Sequence, residues 1–249
     1  MATHFARGIL TEGYLISVRL PSPCHVEARN LPAHRRTRFL ASRGLLAELM
    51  FMLYGTRTLP EMVMQAKGKP AFRDKNLPAF SVAYAGNMVG VALTTEGECG
   101  LDMELQRTTR SFGSYPATYP TFSSNEHLWI NNQDDPNEAR AQLITLRQSI
   151  LKLTGDIRND DPRELQLLPG SGRLKCAHVT QIEALCDAED VLVWSVAATP
   201  AIEKLNIWEF DHKQGWKSLP DIQTRTNEPT SRLMRFAQLS AAKSPYTLS

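Results

Sequence analysis

The chain has 249 residues, of which 42% are hydrophobic and 22% are charged, a composition typical of a globular protein with an ordinary core. Its formal net charge of +2 is too small to predict binding to nucleic acid or to a membrane surface. No apolar stretch approaches the ~18 residues of a membrane-spanning helix, and MATHFARGIL lacks the charged start and apolar run of a signal peptide.

The first half of the chain predicts strands around one long helix. A strand is expected at GYLISVRL (13–20), and apolar residues at helical spacing predict a helix over 35–55 that ends at Gly55. GKPAF (68–72) predicts a turn followed by a short extended piece. Residues 79–95 predict a hairpin that turns at Gly86 and Asn87, and CGLDMELQ predicts a further strand.

The second half repeats this alternation of strands and helices. Residues 106–120 predict a loop, and the next helix is expected to be capped by Ser123 or Ser124. A second long helix is predicted over 134–156, with Pro136 in its first turn and Gly155 at its end. Strands are expected at RELQLLP, DVLVWSVAATP and KLNIWEFD. The remaining polar segment predicts a loosely held tail with one short helix at SRLMRFAQL.

This order of elements predicts an α+β fold made of two similar halves. We expect an N-terminal half at 1–97, a C-terminal half at 98–214 and a tail at 215–249. The four cysteines, Cys24, Cys99, Cys176 and Cys186, form no C-x-x-C pair and have no histidine at zinc-ligand spacing. They are therefore expected to be free thiols in a reducing compartment, which favours the cytoplasm.

The carboxylates of Asp102 and Glu104 are the clearest candidates for chemistry. Residues two apart on a strand project to the same face, roughly 7 Å apart at the backbone. Two like charges at this spacing raise each other's pKa unless a cation lies between them. Oxygen ligands suit a hard cation such as Mg²⁺, which commonly takes one or two carboxylates and completes its shell with water and phosphate. The alternative is that this D-x-E pattern is the solvent face of an edge strand.

Five short segments, in this order and spacing, resemble the 4'-phosphopantetheinyl transferase superfamily of the surfactin and enterobactin synthetase type. They are GKP at 68–70, FSVAYAG at 80–86, GLDME at 100–104, FSSNE at 122–126 and ITLRQSILKLTG at 144–155. The resemblance implies a pseudo-dimer of two α+β halves with coenzyme A in the cleft between them. It also implies transfer of the phosphopantetheine arm of coenzyme A to a serine of an acyl or peptidyl carrier protein, with Mg²⁺ bridging the diphosphate and 3',5'-ADP leaving.

The resemblance assigns roles to particular residues. Asp102 and Glu104 match the first two metal ligands, and Lys152 matches a lysine that steadies the transferring phosphate. Arg43, Lys69 and Tyr84 match positions that contact coenzyme A, and Glu126 matches a glutamate near the metal. For Lys69 and Lys152 the alternative is an ordinary lysine in solvent. For Glu126 it is a first-turn acid favoured by the helix dipole.

The sequence departs from the family pattern at four positions. Gln148 stands where the family has a glutamate that is both metal ligand and candidate base; its amide oxygen can still ligate a metal, but it cannot accept a proton usefully. Tyr84 replaces a histidine, Ala83 replaces a serine, and Ile144 replaces a tryptophan. Two interpretations follow: a working but divergent transferase with water or Glu126 as base, or a transferase-like protein that binds its partners without efficient transfer. A scaffold protein with an accidental pattern is the third.

Carrier proteins are usually acidic beside their modified serine, so basic residues are candidates for the partner surface. Five arginines fit this description: Arg35, Arg36, Arg38, Arg107 and Arg110. A monomer is expected, because a pseudo-dimer already supplies both walls of the cleft.

Overall fold

The computed structural model describes residues 2–10, 17–106, 122–155, 164–177, 179–220, 222 and 232–238. Within these ranges the fold is a mixed α+β one with four α-helices and thirteen strands. The helices are α1 (Ser22–Arg29), α2 (Ala33–Tyr54), α3 (Ser124–Asn131) and α4 (Pro136–Thr154). The strands are β1 (Thr3–Ile9), β2 (Met62–Met64), β3 (Pro70–Phe72), β4 (Ala79–Ala85), β5 (Met88–Thr94), β6 (Cys99–Leu105), β7 (Leu165–Leu168), β8 (Arg173–Cys176), β9 (Glu183–Ala188), β10 (Leu192–Ala198), β11 (Leu205–Asp211), β12 (Gly215–Ser218) and β13 (Met234–Gln238).

Two main sheets organise these strands. Sheet 1 has the order β12-β11-β1-β5-β4, in which β1 and β11 are parallel and the other neighbours are antiparallel. Sheet 2 has the order β6-β10-β9-β13-β8-β7, in which β13 and β8 are parallel. Strands β2 and β3 form a separate small hairpin.

Helix α2 covers one face of sheet 1 and confirms the long helix predicted at 35–55. Its buried residues, which include Leu45, Leu46 and Leu49, pack with the β4 and β5 side chains in one hydrophobic cluster. Gly55 ends the helix with φ of 70°, a left-handed conformation that glycine adopts without strain.

Helix α4 packs against sheet 2 and confirms the second long helix. Asp135 caps it by accepting a hydrogen bond from the Glu138 amide, Pro136 occupies its first turn, and Gly155 ends it with a left-handed φ of 74°. Its apolar side chains join those of β9 and β10 in a second cluster. Helix α3 begins at the predicted cap Ser123, which forms a capping box with Glu126.

A third hydrophobic cluster lies between the two sheets. It combines Phe5 of β1 and Ala92 of β5 with Leu101 of β6 and Trp194 of β10. The rings of Phe5 and Trp194 lie 5.1 Å apart. The sheets therefore bury one face against each other and cover their outer faces with α2 and α4.

The structure corrects two predicted elements and adds several that the sequence did not predict, among them α1, β1, β2, β8, β9 and β12. In the expected strand 13–20, residues 17–20 form a turn, and residues 13–16 lie outside the described part. Of these, β1 is buried although His4 and Arg7 interrupt its apolar pattern. The expected helix at 231–239 is wrong, because residues 234–238 form β13 between β9 and β8.

The remaining strand predictions agree with the structure where it is described. The 79–95 hairpin turns at Gly86, whose φ is 58°, and β6, β7, β10 and β11 lie where they were expected. All four cysteines are free thiols. Within the described ranges, no helix has both the length and the apolar character needed to cross a bilayer.

The division into residues 1–97, 98–214 and 215–249 stays a prediction. Its first boundary falls between β5 of sheet 1 and β6 of sheet 2. The chain later returns, because β11 and β12 extend sheet 1.

Candidate functional site at the junction of the two sheets

Asp102 and Glu104 project from the face of β6 that is packed against α4. The other face carries Leu101 and Met103, which are buried in the cluster between the sheets. Gly100 shares the carboxylate face, and a Cβ built on it would lie 1.9 Å from the Ser149 carbonyl oxygen of α4. The missing side chain of Gly100 therefore lets α4 approach β6 closely and brings the helix over the two half-buried carboxylates.

Lys152, in the last turn of α4, joins this face of β6. Its Nζ lies 3.2 Å from Asp102 Oδ1 and donates to the Leu101 carbonyl at 2.8 Å and to the Val82 carbonyl at 3.4 Å. Burial raises the pKa of Asp102 above its usual value, and the ammonium of Lys152 opposes that rise. The structure thus brings together two of the residues that the sequence analysis predicted to share a site.

Strands β4 and β6 are edge strands of different sheets, and they meet at this point. The Leu101 amide donates to Ser81 Oγ of β4 at 3.0 Å, while Lys152 reaches a carbonyl on each of the two strands. Gly86, just after β4, lies against Leu105 at the end of β6. The candidate site therefore occupies the junction between the two sheets. Ser81, which the sequence analysis did not single out, holds the strands together there.

Lys69 is held on the same strand rather than in solvent. Its Nζ donates to the Cys99 carbonyl at 2.7 Å and lies 3.4 Å from a carboxylate oxygen of Glu98. Its side chain is only 11% exposed, so the alternative of a solvated turn lysine is wrong. Lys69 and Lys152 thus place two ammonium groups on β6 carbonyls two residues apart.

Gln148 is half-buried and lies one turn before Lys152, so the two side chains share one face of α4. A role as metal ligand stays a prediction.

Glu126 has a different setting from the one expected of a general base. It is fully buried; one carboxylate oxygen accepts from the Arg147 guanidinium at 3.1 Å and from the Leu167 amide at 3.2 Å. The other oxygen accepts from the Ser123 amide at 2.9 Å in the capping box. These contacts match the alternative of a first-turn acid that stabilises α3, reinforced by a buried ion pair.

Tyr84 faces α2 rather than β6. Its hydroxyl donates to Ser42 Oγ at 2.9 Å, and the Arg38 guanidinium lies 5.7 Å from its ring centre while donating to the Gly86 carbonyl. The hydroxyl is therefore already engaged in linking sheet 1 to α2.

Arg43 borders a cavity of about 520 Å³ between α1, α2 and the β2–β3 hairpin. The residue is only 8% exposed, and its guanidinium lies over the Phe39 ring at 4.8 Å from the centre. Among the described residues, Arg43 makes no hydrogen bond or ion pair, so its guanidinium can take an anionic partner in this cavity. Pro70, the neighbour of Lys69 in the chain, lines the same cavity.

The other predicted arginines have mixed surroundings. Arg36 donates to three carbonyls at the end of α1, those of Ala28, Arg29 and Leu31, and so helps to cap that helix. Arg35 is exposed. Arg107 and Arg110 lie outside the described residues.

The donor set at the junction fits a hard divalent cation. Asp102 and Glu104 offer two carboxylates on one strand face, and Gln148 shares the α4 face of Lys152, so all three side chains carry oxygen donors. Across the described ranges, no three His, Cys, Asp or Glu side chains come together as a metal site, so the protein alone supplies few charged ligands. Such a site suits Mg²⁺, which keeps several waters or substrate oxygens in its shell.

Comparison with known proteins first gives a class. Over 123 residues the chain is 30% identical to the 4'-phosphopantetheinyl transferase AcpT of Salmonella typhi, which covers 49% of this chain and 60% of that one. It is 29% identical over 123 residues to AcpT of Escherichia coli strain K12, with 49% and 59% covered. This distant similarity supports a place in the 4'-phosphopantetheinyl transferase superfamily.

A much stronger match then gives the family. The chain is 77% identical over 244 residues to the uncharacterized protein YieE of Escherichia coli strain K12, with 98% of each chain covered. The chain belongs to the same family as that protein. No protein-family model matches the chain.

Proposed function

We propose that the protein transfers the 4'-phosphopantetheine group of coenzyme A to a serine hydroxyl of an acyl or peptidyl carrier protein. The observation that carries the proposal is the contact between Lys152 and Asp102 at the junction of β4 and β6. A lysine ammonium beside paired carboxylates, between two sheets, is an arrangement that can hold a metal-bound diphosphate. The partial similarity to 4'-phosphopantetheinyl transferases supports the same reaction class.

The proposed fold is a pseudo-dimer, and the order of elements supports it. In the first half the chain runs β1, α2, the β2–β3 hairpin, β4 and β5; in the second it runs β6, α4, the β7–β8 hairpin, β9 and β10. In each half the first strand pairs antiparallel with the last, and the last pairs antiparallel with the one before it. The candidate site lies where the halves meet.

The reaction is a displacement at phosphorus. The serine oxygen of the carrier protein forms a bond to the phosphorus atom that carries the pantetheine arm, the bond from that phosphorus to the bridging oxygen breaks, and 3',5'-ADP leaves. Asp102 and Glu104, with the amide oxygen of Gln148, would hold Mg²⁺, which supplies positive charge to the diphosphate oxygens. Lys152 and Lys69 add fixed positive charges along the same strand.

Arg43 is proposed to bind the nucleotide end of coenzyme A. Arg43 lines the 520 Å³ cavity, and a guanidinium can donate two parallel hydrogen bonds to a phosphate. The Tyr84 hydroxyl donates a hydrogen bond to Ser42 Oγ, so Tyr84 can contact coenzyme A through this hydroxyl only if that bond breaks.

The serine proton is proposed to leave through water. The Gln148 amide cannot accept it, and both oxygens of Glu126 accept hydrogen bonds within the protein. The absence of a general base typically slows such a step ~10²–10⁴-fold. This is also the observation that favours the second candidate function, a transferase-like protein that binds coenzyme A or a carrier protein without efficient transfer.

Two measurements test these functions together. Isothermal titration calorimetry with coenzyme A and Mg²⁺ should show micromolar binding under both, whereas a scaffold protein with an accidental pattern would show none. Mass spectrometry of an apo carrier protein incubated with the enzyme, coenzyme A and Mg²⁺ should show a gain of one phosphopantetheine group. Binding without any mass gain across acyl and peptidyl carrier proteins would establish the second function instead.

A further inference from the structure

The ammonium of Lys152 already occupies the position of a counter-ion at Asp102. Its Nζ has three acceptors, the Asp102 carboxylate at 3.2 Å and the Leu101 and Val82 carbonyls at 2.8 and 3.4 Å. Both side chains are largely buried, with 23% of Lys152 and 18% of Asp102 exposed. A charge in such surroundings is expensive to leave without partners, so Lys152 stays on Asp102 until another anion replaces that carboxylate.

The charge count at the junction is therefore unfavourable for a lone divalent cation. Lys152 pairs with Asp102, and Gln148 adds no charge on the facing helix, so Asp102, Glu104 and Lys152 together carry a formal charge of only −1. A free Mg²⁺ ion binds weakly where few anionic ligands face it, because it gives up its water shell reluctantly.

We infer that the junction takes up Mg²⁺ only together with a diphosphate, and that Lys152 enforces this order. The inference rests on the proposed function and concerns the same site. The oxygens of a diphosphate provide new acceptors for the Lys152 ammonium and new ligands for the metal, so they release Asp102 and complete the metal shell at once. By linkage, the diphosphate raises the metal affinity by the same factor as the metal raises the diphosphate affinity.

The direct test measures metal binding without any turnover. Mn²⁺ replaces Mg²⁺, and the electron paramagnetic resonance signal of free Mn²⁺ reports how much metal the protein binds. The blank contains coenzyme A and Mn²⁺ without the protein. We expect the wild-type protein to bind Mn²⁺ at least ~10-fold more tightly in the presence of coenzyme A than in its absence. Equal affinity in the two conditions would overturn the inference.

The variant Lys152→Met separates the lysine from the rest of the site. It should bind Mn²⁺ alone ~10-fold more tightly than the wild type does, because Asp102 is then a free ligand. Lys175→Met, which removes an exposed lysine of β8, should leave Mn²⁺ binding unchanged. If circular dichroism shows that Lys152→Met is unfolded, Lys152→Gln takes its place. The wild-type comparison needs no variant.

The outcomes also separate the inference from the function on which it rests. If coenzyme A binds with Mn²⁺ but Mn²⁺ binds equally well alone, the order of binding is wrong and the transferase proposal stands. If coenzyme A does not bind in either condition, the proposed function itself fails.

Discussion

The carboxylate of Glu126 and the guanidinium of Arg147 form an ion pair of 3.1 Å in which the side chains are 0% and 1% exposed. This pair joins the first turn of α3 to the middle of α4. Its contribution to stability can be compared with that of a solvent-exposed ion pair. Removing one partner of a buried ion pair leaves the other charge uncompensated.

We therefore expect Glu126→Gln to lower the free energy of unfolding by about 3–5 kcal/mol in urea titrations. The control is Glu61→Gln, which breaks the 2.9 Å pair with Arg73, where the side chains are 68% and 62% exposed. An exposed pair of this kind contributes at most about 1 kcal/mol. Equal losses in the two variants would contradict the structural role given to Glu126.

Gly100 should tolerate no side chain. A Cβ there would lie 1.9 Å from the Ser149 carbonyl oxygen and 2.7 Å from the Leu153 amide nitrogen, both backbone atoms of α4. Gly100→Ala should therefore push the helix away and destabilise the protein by about 1–3 kcal/mol or more. Gly170→Ala is the control, because a Cβ at Gly170 meets nothing within 4 Å. An equal shift of the melting temperature in the two variants would contradict the close approach of α4 to Gly100.

The titration of Asp102 should make stability depend on pH. Burial raises its pKa in the folded state, so the folded protein holds the proton more tightly than the unfolded chain does. Its contribution to stability is therefore greatest below the ordinary pKa and falls as the pH rises through the raised value. The difference in free energy of unfolding between wild type and Asp102→Asn should therefore decrease as the pH rises through that window.

Asp211 is a control for this pH series, because its contribution to stability should depend on pH with the opposite sign. The amides of Lys213 and Gln214 hold the pKa of that exposed carboxyl below its ordinary value. Its contribution should be present above the ordinary pKa and lost as the pH falls through the lowered one. Curves for Asp102→Asn and Asp211→Asn that bend the same way would contradict these assignments.

Gln148→Glu should restore the charge that the family pattern has at this position. If Gln148 faces the metal, we expect tighter Mn²⁺ binding and faster phosphopantetheine transfer, by up to ~10²-fold for a recovered general base. The double variant Asp102→Asn/Gln148→Glu should lose most of this gain, because the carboxylate of Asp102 is then missing from the metal site. Unchanged turnover and metal affinity in Gln148→Glu would remove Gln148 from the site.

The nucleotide role of Arg43 can be isolated with a modified ligand. Arg43→Gln should weaken coenzyme A binding ~10-fold in calorimetry, equal to about 1.4 kcal/mol, if the guanidinium binds the 3'-phosphate. Binding of 3'-dephospho-coenzyme A should change little in the same variant. Arg35→Gln, at an exposed position of α2, should change neither. Equal loss for both ligands would place the arginine elsewhere on the nucleotide.

The sequence predicted the long helices well because their ends carry strong local signals. Gly55 and Gly155 end α2 and α4 in the left-handed conformation, and Asp135 and Ser123 cap α4 and α3. Strands β1 and β13 were missed because tertiary pairing decides them. Each lies between two other strands, and in β1 His4 and Arg7 interrupt the apolar pattern.

The candidate site was predictable only as far as spacing reveals a shared face. Asp102 and Glu104 were correctly expected to project together, because the period of a strand is two. That Lys152 contacts Asp102, or that Lys69 reaches the Cys99 carbonyl, depends on how α4 and the β2–β3 hairpin dock. The ion pair of Glu126 with Arg147 could not be predicted for the same reason, because the two residues are 21 positions apart in the chain.

The place of β13 constrains how the protein is made. Residues 234–238 insert between β9 and β8, so sheet 2 stays split until residue 238 has left the ribosome. Sheet 1 likewise waits for β11, whose residue 205 pairs with residue 3. Pairings between such distant segments slow folding and leave strand edges open in the meantime. Chaperone protection during synthesis should therefore matter more for this protein than for one whose sheets close locally.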